Sequence, residues 1–409
     1  MEAYFLDWAN LLLRWLHVIV AIAWIGSSFY FVWLDNHLTP PEDAQLKDKG
    51  VAGELWAVHG GGFYNPQKYM GAPPKLPQDL HWFYWESYST WLSGFGLFTV
   101  LYLFNAKTYL VDPDVMRLSS AEAVLLALGF LAVGWIVYDL LCRFVSKNEK
   151  LLSLSIVSFV IAAAWAACHV FAGRAAFLIV GAMIATIMSA NVFFWIIPGQ
   201  RKIVASMKAG QAVDPIHGQR GKQRSVHNTY FTLPVLFAMM SNHYSMTYTH
   251  EANWLVLVLV MLTGVLIRQF FILRHKGTTQ AGYPLLAILI LAGVAAWIMP
   301  KPTTVLTGQA AGDHFAQVQA IINTRCIQCH AAHPTLMDAP AKGLLLDQPE
   351  LIQTKAQLIY QQVVQTRLMP LGNLTHITEE ERALIAQWFE RSAGQGIKTG
   401  KPADKSVSK

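Results

Sequence analysis

Residues 151–171 read LLSLSIVSFVIAAAWAACHVF, twenty-one positions without a single Asp, Glu, Lys or Arg. Wound as an α-helix at about 1.5 Å per residue, such a run covers about 30 Å, the thickness of a bilayer's hydrocarbon core. Seven more apolar stretches of similar length flank it, so eight spans are expected at about 8–33, 85–104, 121–141, 151–171, 175–197, 228–248, 254–273 and 283–299. The sixth is interrupted by Pro234, Ser241, Asn242 and His243, and its existence decides the parity. The whole chain agrees: 54% of 409 residues are hydrophobic and only 14% charged, with mean hydropathy +0.34. A soluble domain carries about a quarter charged residues, so a soluble enzyme is excluded for most of the length. The first span is too long for a cleaved signal peptide, and Glu2 and Asp7 make its start acidic.

Charge in the connections orients the bundle, because cytoplasmic loops retain Lys and Arg. The first, third, fifth and seventh connections hold fifteen of them, from Lys47 to Lys276, against three (Lys107, Arg117, Arg174) in the second, fourth and sixth. The odd connections are therefore expected in the cytoplasm and both termini on the other side. The net charge of +6 is explained topologically and requires no nucleic-acid partner.

Beyond Pro300 the composition turns polar. The expected organisation is a membrane domain over 1–300, a linker over 301–312, a small domain over 313–393 and a disordered tail over 394–409. In the small domain stands Cys326-Ile327-Gln328-Cys329-His330, the pattern of covalent c-type haem attachment. Two thiols one helical turn apart reach the two vinyl groups of one haem edge, and the adjacent imidazole falls under the iron. A zinc site would want further Cys or His ligands, and a redox pair a βαβ setting. Met369, in Arg367-Leu368-Met369-Pro370, is the candidate sixth ligand; Met337, His333 and His376 are its rivals. A thioether opposite His marks an electron carrier of raised potential. Thr378 to Glu381 offers a capping box for a closing helix. Helix, Met loop and closing helix resemble a class I-like cytochrome c. The fold class expected is thus all-α, a polytopic eight-span helix bundle followed by that domain, and covalent haem attachment in the periplasm agrees with the charge count.

Ionisable side chains inside a membrane are costly and mark function by default. Arg14 and His17 share a face of the first span, and with His169 and His243 they fall in the periplasmic half. A redox or substrate site there is one reading, including a b-type haem held by two of the imidazoles; hydrogen bonding between helices is the other. A second polar set lies toward the cytoplasm: His59, His81, Glu86, Asp139, Arg143, Asn191 and His227, beside Gly60-Gly61-Gly62-Phe63-Tyr64. Glycines there permit close approach to a ligand and aromatics could stack on a planar one; an ordinary surface loop fits equally. Cys142 and Cys168 fall at opposite faces, cannot pair, and read as packing residues.

Trp56-Ala57-Val58-His59-Gly60-Gly61-Gly62-Phe63-Tyr64, Leu80-His81-Trp82-Phe83-Tyr84-Trp85-Glu86-Ser87-Tyr88-Ser89-Thr90-Trp91-Leu92-Ser93-Gly94, eight spans and a terminal haem motif together resemble the bacterial membrane-bound, cytochrome c-linked urate oxidases, or urate hydroxylases. The resemblance covers nearly the whole chain. It implies oxidation of urate to 5-hydroxyisourate in purine catabolism, with electrons passing to the attached cytochrome and on to a downstream respiratory acceptor. His81 and Glu86 become candidate proton acceptors, and Arg14 and His17 candidates for a periplasmic-half pocket. A urate site at the cytoplasmic loop would leave about 30 Å of hydrocarbon between substrate and haem, too far for one electron step. An electron-relay subunit of a respiratory complex and a transporter with a redox sensor are the competing classes.

Overall fold

The computed structural model describes residues 2–69, 73, 75–299, 314–337, 340–365 and 367–394. The expected linker and almost all of the expected tail lie outside the described residues. The chain divides into two units, residues 1–243 with 250–298, and residues 244–249 with 299–409.

The first unit is built on eight helices: α1 Glu2–His37, α2 Trp85–Phe98, α3 Ser120–Phe144, α4 Glu149–Cys168, α5 Gly173–Lys208, α6 Pro215–Met240, α7 Asn253–His275 and α8 Gly282–Trp297. A helix overlaps each expected apolar run, but at 228–248 α6 stops at Met240 and is followed by a 3-10 turn, Ser241–His243, and a short helix, Ser245–Tyr248. Five of them (α1, α3, α4, α5 and α7) are long and apolar enough to cross a membrane by length and composition; α2 gains a π-helical extension, Thr99–Leu103, and α8 is a shorter apolar helix. Leu, Ile, Phe and Trp side chains such as Leu12, Trp15, Ile22, Leu125, Leu154 and Ile288 face outward. Helices apolar on their outer faces belong to a membrane protein.

The contacts that lead from α1 through α2, α5 and α6 to α7 reverse direction at each step. His17 on α1 meets Thr90 and Ser93 on α2, while Leu13 lies against Gly96, so these two run antiparallel. Ser87 and Trp91 on α2 bond Ser189 and Thr186 on α5, again antiparallel. Asn228 and Arg224 on α6 meet Met188 and Asn191, and Gly264 on α7 abuts Leu233 and Pro234. Four reversals make α7 parallel to α1, and two contacts independently agree: Phe29 with Arg268 and His37 with His275. Close approach is secured by small residues; a Cβ on Gly94 would come within 2.8 Å of His17 Cε1, and one on Gly181 within 2.7 Å of Ala238 Cβ.

Two connections are more ordered than the sequence shows. The first connection is not an irregular loop: it carries β1 (Val51–Glu54), β2 (Ala57–His59), β3 (Gly62–Tyr64) and β4 (Gln67–Tyr69), paired as one antiparallel hairpin inside another. Gly60 and Gly61 form its two-residue turn with φ +58° and +80°, the sign pattern of a type I′ turn that side-chain-bearing residues resist. The backbone therefore requires these glycines without any ligand. The fifth connection is not a basic loop either, because α5 runs on to Lys208 and α6 begins at Pro215. Asp214 caps α6 through Ile216 N–H at 2.9 Å, with Pro215 in its first turn. Arg224, counted among the loop charges, is consequently a buried helix residue.

The C-terminal unit has its own apolar core of Val318, Ile321, Ile322, Leu346, Ile352, Ile359, Val363, Ile377, Ile385 and Trp388, with Cys326 among them. Its main helices are α9 His314–Arg325 and α10 Glu379–Gly394. The capping box closes as expected: Glu381 N–H donates to Thr378 Oγ1 at 3.2 Å and Thr378 N–H to Glu381 Oε2 at 2.8 Å.

Candidate functional site

Polar chemistry inside the first unit gathers in two places around buried arginines. The first lies between α3, α5 and α6. A π-helical stretch, Asn191–Ile196, interrupts α5, and such an insertion re-aims side chains at functional or strained positions. Asn191 and Trp195 from this stretch both reach inward. Asp139 Oδ1 accepts from Arg224 Nη2 (2.8 Å) and Trp195 Nε1 (2.7 Å), and its Oδ2 from Arg143 Nε (2.6 Å). Arg224 Nη1 donates to Asn191 Oδ1 at 3.1 Å. Asn191 Nδ2 in turn donates to Tyr138 Oη (3.0 Å) and to Asn228 Oδ1 (2.9 Å). The tyrosine hydroxyl is left to donate to His227 Nδ1 at 2.8 Å. Arg143, Arg220 and Arg224 all stack on Trp195, at 4.9, 5.7 and 4.9 Å from its centroid. Of the second polar set, Asp139, Arg143, Asn191 and His227 are thus brought together.

The second place lies between α1, α6 and α7. Arg268 is 5% exposed, with its guanidinium 4.4 Å over the Phe29 ring. Its Nε and Nη2 are buried without a hydrogen-bond partner, as is His275 Nδ1 seven residues on. Tyr230 and His275 are electrostatic neighbours of Arg268, and Tyr230 Oη donates to Gln269 Oε1. Arg268 is absent from the expected set, although an arginine inside the run 254–273 meets the criterion that singles out Arg14.

The other expected residues are scattered. His17 Nδ1 donates to Thr90 O at 3.0 Å, which leaves the lone pair on Nε2. Arg14 is exposed and bonds Asn10 Oδ1 within its own helix. It is an electrostatic neighbour of Tyr102, as is Arg174; the buried Tyr102 hydroxyl stands beside the Asn242 side chain, and Arg174 Nε is buried without a hydrogen-bond partner. His169 is exposed, donates Nδ1 to Trp165 O at 2.7 Å and packs on that indole. His243 is exposed as well. His81 is exposed against Phe83, Glu86 sits half-buried in the first turn of α2, and His59 ends β2 on the exposed hairpin. Neither His81, Glu86 nor His59 joins the Asp139 cluster. Cys142 and Cys168 are buried and free; Cys142 Sγ lies 3.8 Å from His227 Nδ1.

In the C-terminal unit, Cys326 N–H donates to Ile322 O and His330 N–H to Cys326 O (2.8 and 3.0 Å). The two thiols and the imidazole therefore belong to one helical turn after α9. Cys326 is buried in the core and burial pushes its thiol up to about 12; burial also holds the His330 imidazole below its ordinary value. The backbone of Leu344 and Ala341 approaches this ring, yet Nδ1 closes no hydrogen bond. Met369 is half-buried against the same core as Cys326, whereas Met337, His333 and His376 are exposed. Two thiols, an imidazole and a thioether around one apolar core fit a c-type haem. Among the described residues no group of three or more His, Cys, Asp or Glu could hold a metal ion, as a zinc centre would require. Arg382, 7% exposed, donates Nη1 to Met369 O at 3.0 Å and to Val363 O, fixing the Met loop to α10. Burial pulls this guanidinium down to about 10. Arg325 ties α9 to the same region through Glu381 (3.1 Å) and Thr375 O (2.7 Å).

No curated protein and no solved structure matches the chain. A family does: the urate oxidase N-terminal family matches residues 3–299, a region that contains both arginine clusters and all eight helices of the first unit. With most of its length covered by that match, the chain belongs to the urate oxidase N-terminal family and is a urate-related oxidoreductase.

Proposed function

We propose that the chain is a membrane-bound urate oxidase that crosses the bacterial inner membrane eight times and passes electrons from urate to a c-type haem on its own periplasmic C-terminal unit, then to a respiratory acceptor. One observation carries this reading: a single chain joins the urate oxidase N-terminal family to a Cys-x-x-Cys-His turn whose core also holds Met369. The reversals that link α1, α2, α5, α6 and α7, together with the basic odd connections, support the eight crossings and a periplasmic position for both termini.

The chemistry balances as urate plus water giving 5-hydroxyisourate, two protons and two electrons. Cys326 and Cys329 would hold the haem covalently and His330 and Met369 would ligate its iron, where it would supply a one-electron acceptor whose potential a thioether ligand raises. The chain's own residues bind and orient the substrate, take its protons and hold the Met loop. His81 and Glu86 are the proposed proton acceptors, since the Glu86 carboxylate makes no ion pair among the described residues. Arg14 and His17 are the alternative candidates, Arg14 beside Tyr102 and His17 against Thr90 and Ser93.

The test is anaerobic addition of urate to the purified, oxidised protein. Reduced c-type bands are expected. Reduction by quinol but not by urate would instead identify an electron-relay subunit.

A further inference from the structure

Arg268 carries a charge in the apolar interior with two of its N–H positions unused, and a buried charge without partner or hydrogen bonds is costly. Removing water from a guanidinium is offset in this bundle only by the Phe29 face at 4.4 Å, and among the described residues it makes no ion pair. The two unpartnered atoms, Nε and Nη2, form one edge of the guanidinium. Their N–H bonds run parallel, the fork that grips two adjacent acceptor atoms. His275 stands two turns further along the same helix with Nδ1 also buried and unpartnered, its ring edge-on to His37 at 5.3 Å. A flat lining, one fixed cation and an imidazole that can donate or accept suit a planar anion.

We infer that Arg268 and His275 form the binding side of a buried site for a planar heteroaromatic oxoanion between α1 and α7, toward the end of the bundle away from the termini, so that its electrons reach the C-terminal unit in more than one step. This rests on the urate reading above for the identity of the anion: a deprotonated ring nitrogen beside a carbonyl presents two adjacent acceptors to the Arg268 edge. His275 takes a further carbonyl or ring N–H, and Phe29 closes the site against lipid. The same fork would accept a phosphate or a carboxylate, so the ligand classes have to be separated by experiment.

The experiment uses full-length, haem-loaded protein in detergent as wild type, Arg268→Lys, Arg268→Met and His275→Gln. Two quantities are read: KM and kcat for anaerobic urate-dependent haem reduction, and the thermal midpoint with urate, with inorganic phosphate and with neither. Arg268→Met should raise KM on the order of 30-fold, the loss of a charged hydrogen-bonding pair. Arg268→Lys should recover part of that, and His275→Gln should raise KM less. Without ligand, Arg268→Met should unfold no lower than wild type, because an uncompensated charge is gone, and should lose the upward shift that urate gives the wild type. Unchanged KM in Arg268→Met overturns the site. An equal shift with phosphate and urate overturns the heteroaromatic assignment, and a KM that responds to Arg14→Gln instead relocates the substrate. If urate never reduces the wild-type haem, the oxidase reading fails; a urate shift lost in Arg268→Met would still uphold the site, and no urate shift in the wild type would overturn it.

Discussion

Arg224 and Arg268 sit on consecutive helices of one bundle, 2% and 5% exposed, and differ in everything else. Arg224 spends Nη1 on Asn191 and Nη2 on Asp139 and stacks on Tyr138 and Trp195. Arg268 has a phenyl ring beneath it and an unused donor edge. A closed network fixes helices relative to one another, because breaking any pair leaves a charge stranded. An open one has its donors free for something that arrives from outside. Burial alone does not separate structure from function here; the hydrogen-bond inventory of each guanidinium does.

The sharpest way to break this contrast is Asp139→Asn, which strands the buried Arg224 and releases the half-exposed Arg143. Loss of about 3–5 kcal/mol of stability is expected, and the paired change Asp139→Leu with Arg224→Met should restore most of it, read as thermal midpoints in one detergent. Next comes the third buried arginine. Arg382→Gln should cost about 2 kcal/mol in the C-terminal unit by releasing two carbonyls, and should weaken the absorption band of Met-ligated ferric haem while c-type attachment persists. Arg268→Met should carry the opposite sign, a gain of about 1 kcal/mol without ligand; a loss as large as that of Asp139→Asn would make the two arginines alike. Smallest is Gly61→Ala, which forces φ +80° on a side-chain-bearing residue for about 1 kcal/mol and should leave urate-dependent reduction intact, since the hairpin's glycines answer to backbone geometry.

Helix positions were legible because each apolar run long enough to span carries a helix, although at 228–248 that helix passes Pro234 only to end at Met240. Their polar extensions were not: the segment from Pro215 to His227 has no apolar run, so only its Asp214 cap and Pro215 hint that α6 starts there. The turn after α9 and the capping box at Thr378 are local patterns and could be read directly. The Asp139 network could not, because Asp139, Trp195 and Arg224 are joined only by tertiary contact across more than 50 residues. Arg268 was open to inspection as a charge within an apolar stretch, yet its lack of a partner is visible only in three dimensions.

The account stands on electrons moving from urate to the haem of the same chain. Anaerobic titration of the oxidised, purified protein with urate, followed through the reduced c-type absorption bands, tests that directly. Reduction of two haems for every urate consumed is the expected stoichiometry, with no added dehydrogenase. Bands that stay oxidised with urate while quinol reduces them fully would contradict it.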